Sequence, residues 1–146
     1  MNIQLKTIVD GNYIDIMKRF DRQLFEALKP KLAKMKIVKF TGSKKGDLVH
    51  LRFLSPIKME WISEITEHGE DEKESYFIDE GVKLPFPLSY WRHKHVVQKL
   101  TEDTSCIIDD MTFEGPNFLV TLLLYPALYI AFYPRGSVYK SYFKKN

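Results

Sequence analysis

The chain has 146 residues, a formal net charge of +3 and one cysteine. This length suits one domain, residues 1–146, with a hydrophobic core of its own. The lone Cys106 excludes an internal disulfide and favours a reducing, cytoplasmic setting. The basic residues are scattered along the chain, so the modest positive charge does not indicate a nucleic-acid partner.

The N-terminal part reads as a strand followed by a helix. Residues 3–9 alternate apolar and polar side chains, which predicts a strand. Apolar residues then recur at every fourth position through residues 13–28, which predicts one helix with a broad apolar face. Pro30 follows, so the helix is expected to end near Lys29.

The middle of the chain has the period-two pattern of strands, interrupted by polar turns. It predicts six further strands joined by hairpins, at residues 37–40, 48–54, 58–65, 74–79, 90–100 and 105–113. Elements segregated in this way indicate an α+β fold with an antiparallel sheet. Such a sheet bends easily and can grip a helix in its concave face.

An uncharged apolar run covers residues 118–133, with Pro126 near its middle. It is a little short for a membrane-spanning helix, which needs about 20 apolar residues. We therefore expect a core helix that is apolar nearly all round. The alternative is transient membrane contact through this C-terminal helix, with Arg135 and the C-terminal lysines at the lipid headgroups.

Several short segments, in this order and spacing, resemble one family over nearly the whole chain. They are Leu-Phe-Glu-Ala-Leu-Lys-Pro at residues 24–30, Phe-Thr-Gly-Ser-Lys-Lys-Gly-Asp at 40–47, Tyr-Phe-Ile-Asp-Glu-Gly at 76–81, Leu-Pro-Phe at 84–86, Trp-Arg-His-Lys-His at 91–95 and Tyr-Lys-Ser-Tyr-Phe at 139–143. This arrangement resembles a bacterial subgroup of the START-like SRPBCC superfamily, which includes lipid-transfer and polyketide-cyclase-like proteins. The resemblance implies a helix-grip fold, with a curved antiparallel sheet of about six to seven strands around a long C-terminal helix. It also implies an internal cavity, but no particular ligand.

Two histidines lie two residues apart in the predicted strand 90–100. Residues at this spacing share one face of a strand, so Trp91, His93 and His95 should project together. The intervening Arg92 and Lys94 are charged and should face solvent. The two imidazoles are therefore expected side by side on the concave wall.

Three interpretations of this histidine pair compete. A metal site needs three or four ligands, and His50, Cys106, Asp109 or Asp110 could add to the pair, but no metal-binding motif is present. Acid-base catalysis needs a histidine within reach of substrate, with a carboxylate to hold its tautomer. In the third interpretation the imidazoles orient a ligand's polar group or bond to Asp79 or Asp109. We predict no metal, no cofactor and no assigned catalytic residue.

The strand faces add aromatic residues and carboxylates to this wall. Trp61 should point inward because its neighbours Glu60 and Glu64 require solvent. Asp109 has the same parity as apolar neighbours, so it should be an inward carboxylate paired with His93 or His95. The predicted ligand-binding residues are Trp61, Phe77, Asp79, Trp91, His93, His95, Asp109 and Met111.

Two functions follow from this constellation. The first is binding of a small hydrophobic ligand, such as a lipid, a sterol or a polyketide-like compound, in a cavity between the sheet and the C-terminal helix. The alternative is a cyclase or dehydratase that uses His93 or His95 with Asp109 in the same cavity. The sequence does not separate these two functions, and it leaves the oligomeric state open.

Overall fold

A computed structural model describes residues 1–145 and shows one antiparallel sheet with four helices over these residues. The strands are β1 Asn2–Asp10, β2 Lys34–Phe40, β3 Leu48–Ser55, β4 Met59–Glu70, β5 Glu74–Lys83, β6 Tyr90–Lys99 and β7 Thr104–Glu114. The helices are α1 Tyr13–Lys18, α2 Arg22–Ala27, α3 Phe118–Phe132 and α4 Arg135–Tyr142.

The sheet order is β1-β7-β6-β5-β4-β3-β2, and all neighbouring strands are antiparallel. Five hairpins join the strands from β2 to β7, and β1 closes the sheet against the last of them. Irregularities in the β2–β3 and β4–β5 registers interrupt the ladder, and such bulges bend a sheet. The result is a curled half-barrel with a bent C-terminal helical segment, which confirms the predicted α+β helix-grip fold.

The predicted single helix over residues 13–28 is wrong, because the chain forms two short helices there. Asn12 caps α1, and Asp21 caps α2 by accepting a hydrogen bond from the Leu24 amide at 3.0 Å. Between the helices Phe20 turns inward, where it is 3% exposed and packs beside Tyr139 and Phe143. The stripe at every fourth residue was real, but a capping aspartate restarted the helix within it.

The expectation of a buried core helix over residues 118–133 is also wrong. Only one residue of α3, Thr121, is buried, while Phe118, Leu119 and Leu123 are each more than 60% exposed. Leu124, Leu128 and Phe132 pack against the sheet, so the sheet covers one stripe of a helix that is apolar on several sides. Residues 118–142 are long and apolar enough to cross a membrane by length and composition alone.

Two hydrophobic clusters lie on the concave face of the sheet. One joins α1, α2 and α4 to the strands through residues such as Ile16, Leu24 and Tyr139. The other surrounds Trp91, Met111 and Phe113 and receives the packed stripe of α3. Between them the inner faces of β2 to β6 remain partly uncovered, which leaves a cavity.

Candidate functional site

A cavity of about 160 Å³ lies between the sheet, α2 and the end of α3. Six of the predicted ligand-binding residues line it: Trp61, Phe77, Asp79, Trp91, His93 and His95. Within the described part of the chain, Asp109 and Met111 are not among its lining residues. Met111 is fully buried in the second cluster, and Asp109 lies behind the two histidines.

Strand register places two histidines and two carboxylates in one buried group, which we call the His-Asp quartet: Asp79, His93, His95 and Asp109. Asp79 on β5 lies opposite His93 on β6, and His95 lies opposite Asp109 on β7. All four residues project from the concave face, as the strand parity predicted, and each is less than 10% exposed. The quartet therefore spans three adjacent strands at the floor of the cavity.

The hydrogen bonds in the quartet run diagonally rather than between directly opposite residues. His93 Nε2 lies 2.9 Å from Asp109 Oδ1, and His95 Nε2 lies 2.7 Å from Asp79 Oδ2. An ionised carboxylate can only accept, so both ring nitrogens carry the donated proton. Diagonal neighbours on adjacent strands are within reach of long side chains, and here the two imidazoles lie against each other at an angle of 31° with their ring centres 3.6 Å apart.

Both buried carboxylates are held in the ionised form. Burial alone would raise the pKa of Asp109, but the hydrogen bond and charge of His93, helped by Arg135 and His95, lower that pKa to about 2. For Asp79 burial again acts upward, and the hydrogen bond from His95 and the charge of His93 outweigh it, so its pKa is also lowered. Buried charges need such partners to be tolerated.

His95 has a fully buried ring nitrogen that makes no hydrogen bond in the described part of the chain. Burial, together with the charge of His93, lowers the pKa of His95 to about 4 in spite of its bond to Asp79. A neutral ring that donates from Nε2 carries a lone pair on Nδ1. Nδ1 has no hydrogen-bond partner within residues 1–145.

Two polar residues on α4 that no sequence pattern assigned to the site, Arg135 and Tyr139, complete it. Arg135 lines the cavity, and its Nη1 lies 3.9 Å from Asp109 Oδ1 and is buried without a hydrogen-bond partner in the described chain. The Tyr139 hydroxyl donates to the same Asp109 oxygen at 3.3 Å, and burial together with the Asp109 charge raises the pKa of Tyr139. Arg135, which the sequence also suggested for contact with lipid headgroups, lies in the cavity wall in this structure. No local motif marked either residue, since both reach the site through helix packing.

Aromatic side chains form most of the remaining wall. Phe77 stacks on His95 with ring centres 4.3 Å apart, and Trp61 meets Trp91 edge to face at 4.8 Å. Trp91 Nε1 donates to Asp79 Oδ1 at 3.1 Å, which satisfies its indole group. Phe25 and Phe132 close the wall from the helical side. The side chains that line the cavity are thus apolar except for Ser63, Asp79, His93, His95 and Arg135.

Of the extra metal ligands considered from the sequence, Asp109 contacts the histidine pair from behind, whereas His50 and Asp110 bond to other residues. His50 lies beside Glu60, with His50 Nε2 3.3 Å from Glu60 Oε1, and Asp110 accepts from Asn2 at an exposed position. Asp79 instead brings a third donor atom to His93 and His95, and ligand atoms of the three residues all lie within 4.8 Å of one another. The structure therefore assembles a potential set of two imidazoles and one carboxylate that sequence spacing did not reveal.

Comparison with solved structures finds the same fold in enzymes. The Zhui aromatase/cyclase from Streptomyces sp. R1128 superposes with a TM-score of 0.70 at 8% identity, over 94% of this chain and 90% of that one. Truncated norcoclaurine synthase from Thalictrum flavum gives 0.67 at 14% identity, over 100% and 95%. The same synthase in complex with dopamine and hydroxybenzaldehyde gives 0.59 at 15% identity, over 90% and 83%.

No family model and no curated protein matches the sequence. The structural likenesses confirm that the START-like resemblance identified the fold correctly. At such low identities they show the fold alone.

Proposed function

We propose that this chain binds a small, mainly apolar ligand with a polar group in the cavity between the sheet and the C-terminal helices. One observation carries the proposal. His95 Nδ1 and Arg135 Nη1 are buried without hydrogen-bond partners in residues 1–145, and both residues line an otherwise aromatic cavity. Buried polar atoms are nearly always satisfied, so two such atoms on residues that line one cavity support binding of a ligand that carries polar groups.

Cavity size narrows the ligand classes. A cavity of about 150 Å³ is known to hold benzene, and the present one measures about 160 Å³. Drug-sized ligands occupy roughly 300 Å³ or more, and sterols and lipid chains fall in that class. The cavity is therefore too small for a lipid chain or a sterol. Its volume favours a compound with a single aromatic ring, or a polyketide-like fragment of similar size.

The two unpaired atoms specify complementary chemistry. A guanidinium can only donate, so Arg135 Nη1 requires an acceptor such as a carbonyl or carboxylate oxygen. His95 Nδ1 carries a lone pair when Nε2 donates to Asp79, so it requires a donor such as a hydroxyl. A ring bearing both a hydroxyl and a carbonyl group meets these requirements, and norcoclaurine synthase, which shares the fold, was solved with hydroxybenzaldehyde.

Calorimetric titration with 4-hydroxybenzaldehyde tests the proposal, with para-xylene as its apolar counterpart and palmitate and cholesterol as larger ligands. We expect saturable 1:1 binding of the aldehyde and weaker binding of para-xylene. Arg135→Met should weaken aldehyde binding roughly tenfold to a hundredfold, the range for a hydrogen bond to a charged group, and leave para-xylene binding unchanged.

A matched pair of variants on β3 tests whether the ligand binds in the cavity. Leu51 lines the cavity, whereas Leu54 is exposed and lies outside it. Leu51→Trp should fill the space and abolish binding, while Leu54→Trp should not affect it. Equal binding by both variants, or no binding of any of the four compounds to the wild-type protein, would refute the proposal.

A cyclase or dehydratase activity is the second candidate, because His95 lines the cavity and has a ring nitrogen without a hydrogen-bond partner in residues 1–145. Asp79 would hold the ring tautomer while Nδ1 accepts a proton from substrate. A base whose pKa is about 4 is poorly matched to proton transfer near neutral pH, which ranks this function second. The test is an assay for dehydration of an aryl β-hydroxy ketone, in which the absorbance of the conjugated product is monitored. A rate equal to that of the His95→Gln variant would exclude it.

We also propose that the exposed stripe of α3 makes transient contact with anionic membranes. Phe118, Leu119, Leu122 and Leu123 are exposed on this helix, and Lys140, Lys144 and Lys145 follow it. Apolar area beside lysines suits a negatively charged bilayer surface. Flotation with vesicles containing phosphatidylserine should recover the protein, and Leu119→Glu with Leu123→Glu should abolish recovery. Equal recovery of the two proteins would contradict this contact.

A further inference from the structure

We propose that Asp79, His93 and His95 form a binding site for a divalent first-row transition metal ion at the floor of the cavity. Two imidazoles and one carboxylate that leave other coordination positions open form a recognised donor set for Fe²⁺, and three protein ligands with one open position suit catalytic Zn²⁺. All three residues are buried, and they come from two adjacent strands rather than from mobile loops. The proposal goes beyond ligand binding, because it needs no organic ligand.

The donor atoms are nearly in place. Asp79 Oδ2 lies 2.7 Å from His95 Nε2 and 3.8 Å from His93 Nδ1. Metal–ligand bonds of 2.0–2.2 Å require donor atoms about 3.0–3.5 Å apart in octahedral or tetrahedral sites. The two observed distances bracket this range, and all three donor atoms lie within 4.8 Å of one another, so side-chain adjustments would be enough to bring the three donors around one ion.

Each proposed ligand already has an outer partner that selects the correct donor atom. Trp91 occupies Asp79 Oδ1 at 3.1 Å and leaves Oδ2 toward the histidines. Asp109 accepts from His93 Nε2 at 2.9 Å and leaves Nδ1 on the side of Asp79. Carboxylates that accept from the distal nitrogen of a metal-bound histidine are a regular feature of metal sites.

The same geometry accounts for the second histidine. His95 Nδ1 has no hydrogen-bond partner in the described chain and lies 3.7 Å from Asp109 Oδ1. If Nε2 binds the ion, the ring proton moves to Nδ1, where Asp109 is the nearest acceptor. Asp109 then supports both histidines, and Tyr139 donates to the same carboxylate oxygen at 3.3 Å. Metal binding at Nε2 would therefore make His95 Nδ1 a donor that faces Asp109.

Titration of the chelator-treated full chain with Co²⁺ tests the site. We expect one equivalent to bind, seen as visible ligand-field absorption and as quenching of tryptophan fluorescence, because Trp91 contacts Asp79. His93→Gln, His95→Gln and Asp79→Asn should each weaken Co²⁺ binding by at least about tenfold. Asp109→Asn, which alters only the outer partner, should weaken it by about 10–100-fold.

Matched controls are His50→Gln and His68→Gln, since neither histidine belongs to the three-residue set. Both should bind Co²⁺ as the wild-type protein does. Each variant is first melted by circular dichroism, and Asp79→Glu replaces Asp79→Asn if the amide variant does not fold. Absence of 1:1 binding with Co²⁺, Fe²⁺ and Zn²⁺, or unchanged binding in His93→Gln and His95→Gln, would overturn the proposal. A metal-free protein that still binds 4-hydroxybenzaldehyde would retain the proposed ligand-binding function, so the two proposals fail separately.

Discussion

Two ionic groups lie on opposite faces of the same sheet, and each holds a carboxylate with a pKa of about 2. On the outer face Glu60 contacts Lys83 at 2.8 Å, Arg52 at 3.2 Å and His50 at 3.3 Å. Hydrogen bonds from Lys83 and Arg52 lower its pKa, and desolvation opposes them only weakly because Glu60 lies near solvent. On the inner face Asp109 reaches the same pKa against strong desolvation. Equal pKa values therefore conceal different costs of losing a partner.

The cost of losing a partner depends on whether water can reach the charge that is left behind. A surface charge that loses its partner is resolvated by water, so exposed ion pairs contribute little to stability. A buried charge that loses its partner stays desolvated, and removing one member of a buried pair is strongly destabilising. The inner group should therefore dominate stability, although Glu60 and Asp109 each have three charged or chargeable neighbours within 4.0 Å. The predictions below test this contrast from its largest consequence to its smallest.

The largest effect is expected for Asp109→Ala. The change leaves His93 Nε2 and the Tyr139 hydroxyl without their acceptor, so unfolding free energy should fall by about 3–5 kcal/mol. Asp110→Ala is the matched control, because this neighbour faces outward and bonds the exposed Asn2 side chain. Urea unfolding followed by circular dichroism measures both changes. Similar losses for the two variants would contradict the contrast between the faces.

Double-mutant cycles sharpen the pairing inside the quartet. His93→Ala combined with Asp109→Ala should show a coupling of about 1–3 kcal/mol, as for groups in direct contact. His95 lies farther from Asp109, with His95 Nδ1 3.7 Å from Asp109 Oδ1, so the cycle with His95→Ala should give less than half that coupling. Larger coupling for His95 would mean that the diagonal hydrogen bonds are exchanged in solution.

Added salt should weaken the stability contribution of the outer ionic group more than that of the inner group. At 1 M ionic strength the screening length is about 3 Å, which weakens exposed pairs much more than buried ones. The stability difference between the wild-type protein and Glu60→Gln should therefore shrink in 1 M NaCl. The difference for Asp109→Asn should persist, and its loss in salt would show that water reaches the quartet. Melts at low and high salt measure both differences.

The smallest effect is expected from Glu60 alone. Glu60→Gln should lower the melting temperature by no more than about 3 °C at pH 7. Because its folded pKa of about 2 lies below the unfolded value of 4.5, the contribution of Glu60 is present above pH 4.5 and disappears as pH falls through about 2. Melts of the two proteins from pH 7 to pH 2 should converge. A difference that grows on acidification would reverse the sign of this interaction.

The local sequence pattern predicted the strands and part of the candidate site. The period-two runs located all seven strands, because one face of each strand must be apolar where it meets the core. The same parity placed His93, His95 and Asp109 on the inner face, and each is buried. The alternation of side chains does not show which strands pair or in which register. It therefore could not identify the carboxylate that accepts a hydrogen bond from each imidazole.

The helices show where pattern failed. The apolar stripe over residues 13–28 concealed a second start at Asp21, since capping is decided by one side chain rather than by periodicity. The apolar composition of α3 suggested burial on all sides, but the number of elements available to cover a helix is a property of the assembled fold. Both errors concern features that the hydrophobic pattern does not report: a single capping side chain in one case, and the elements that pack against a helix in the other.

By itself, the sequence determined an α+β chain of hairpins and two helical regions, with imidazoles and a carboxylate facing inward, because side-chain alternation is dictated by local backbone geometry. Only the tertiary structure decided that Asp79 meets both histidines, that Asp109 lies behind them and that Arg135 enters the cavity. These contacts join β5, β6, β7 and α4, which are up to 56 positions apart between Asp79 and Arg135. Register, sheet curvature and helix docking set such distances, and each depends on the packing of the whole chain.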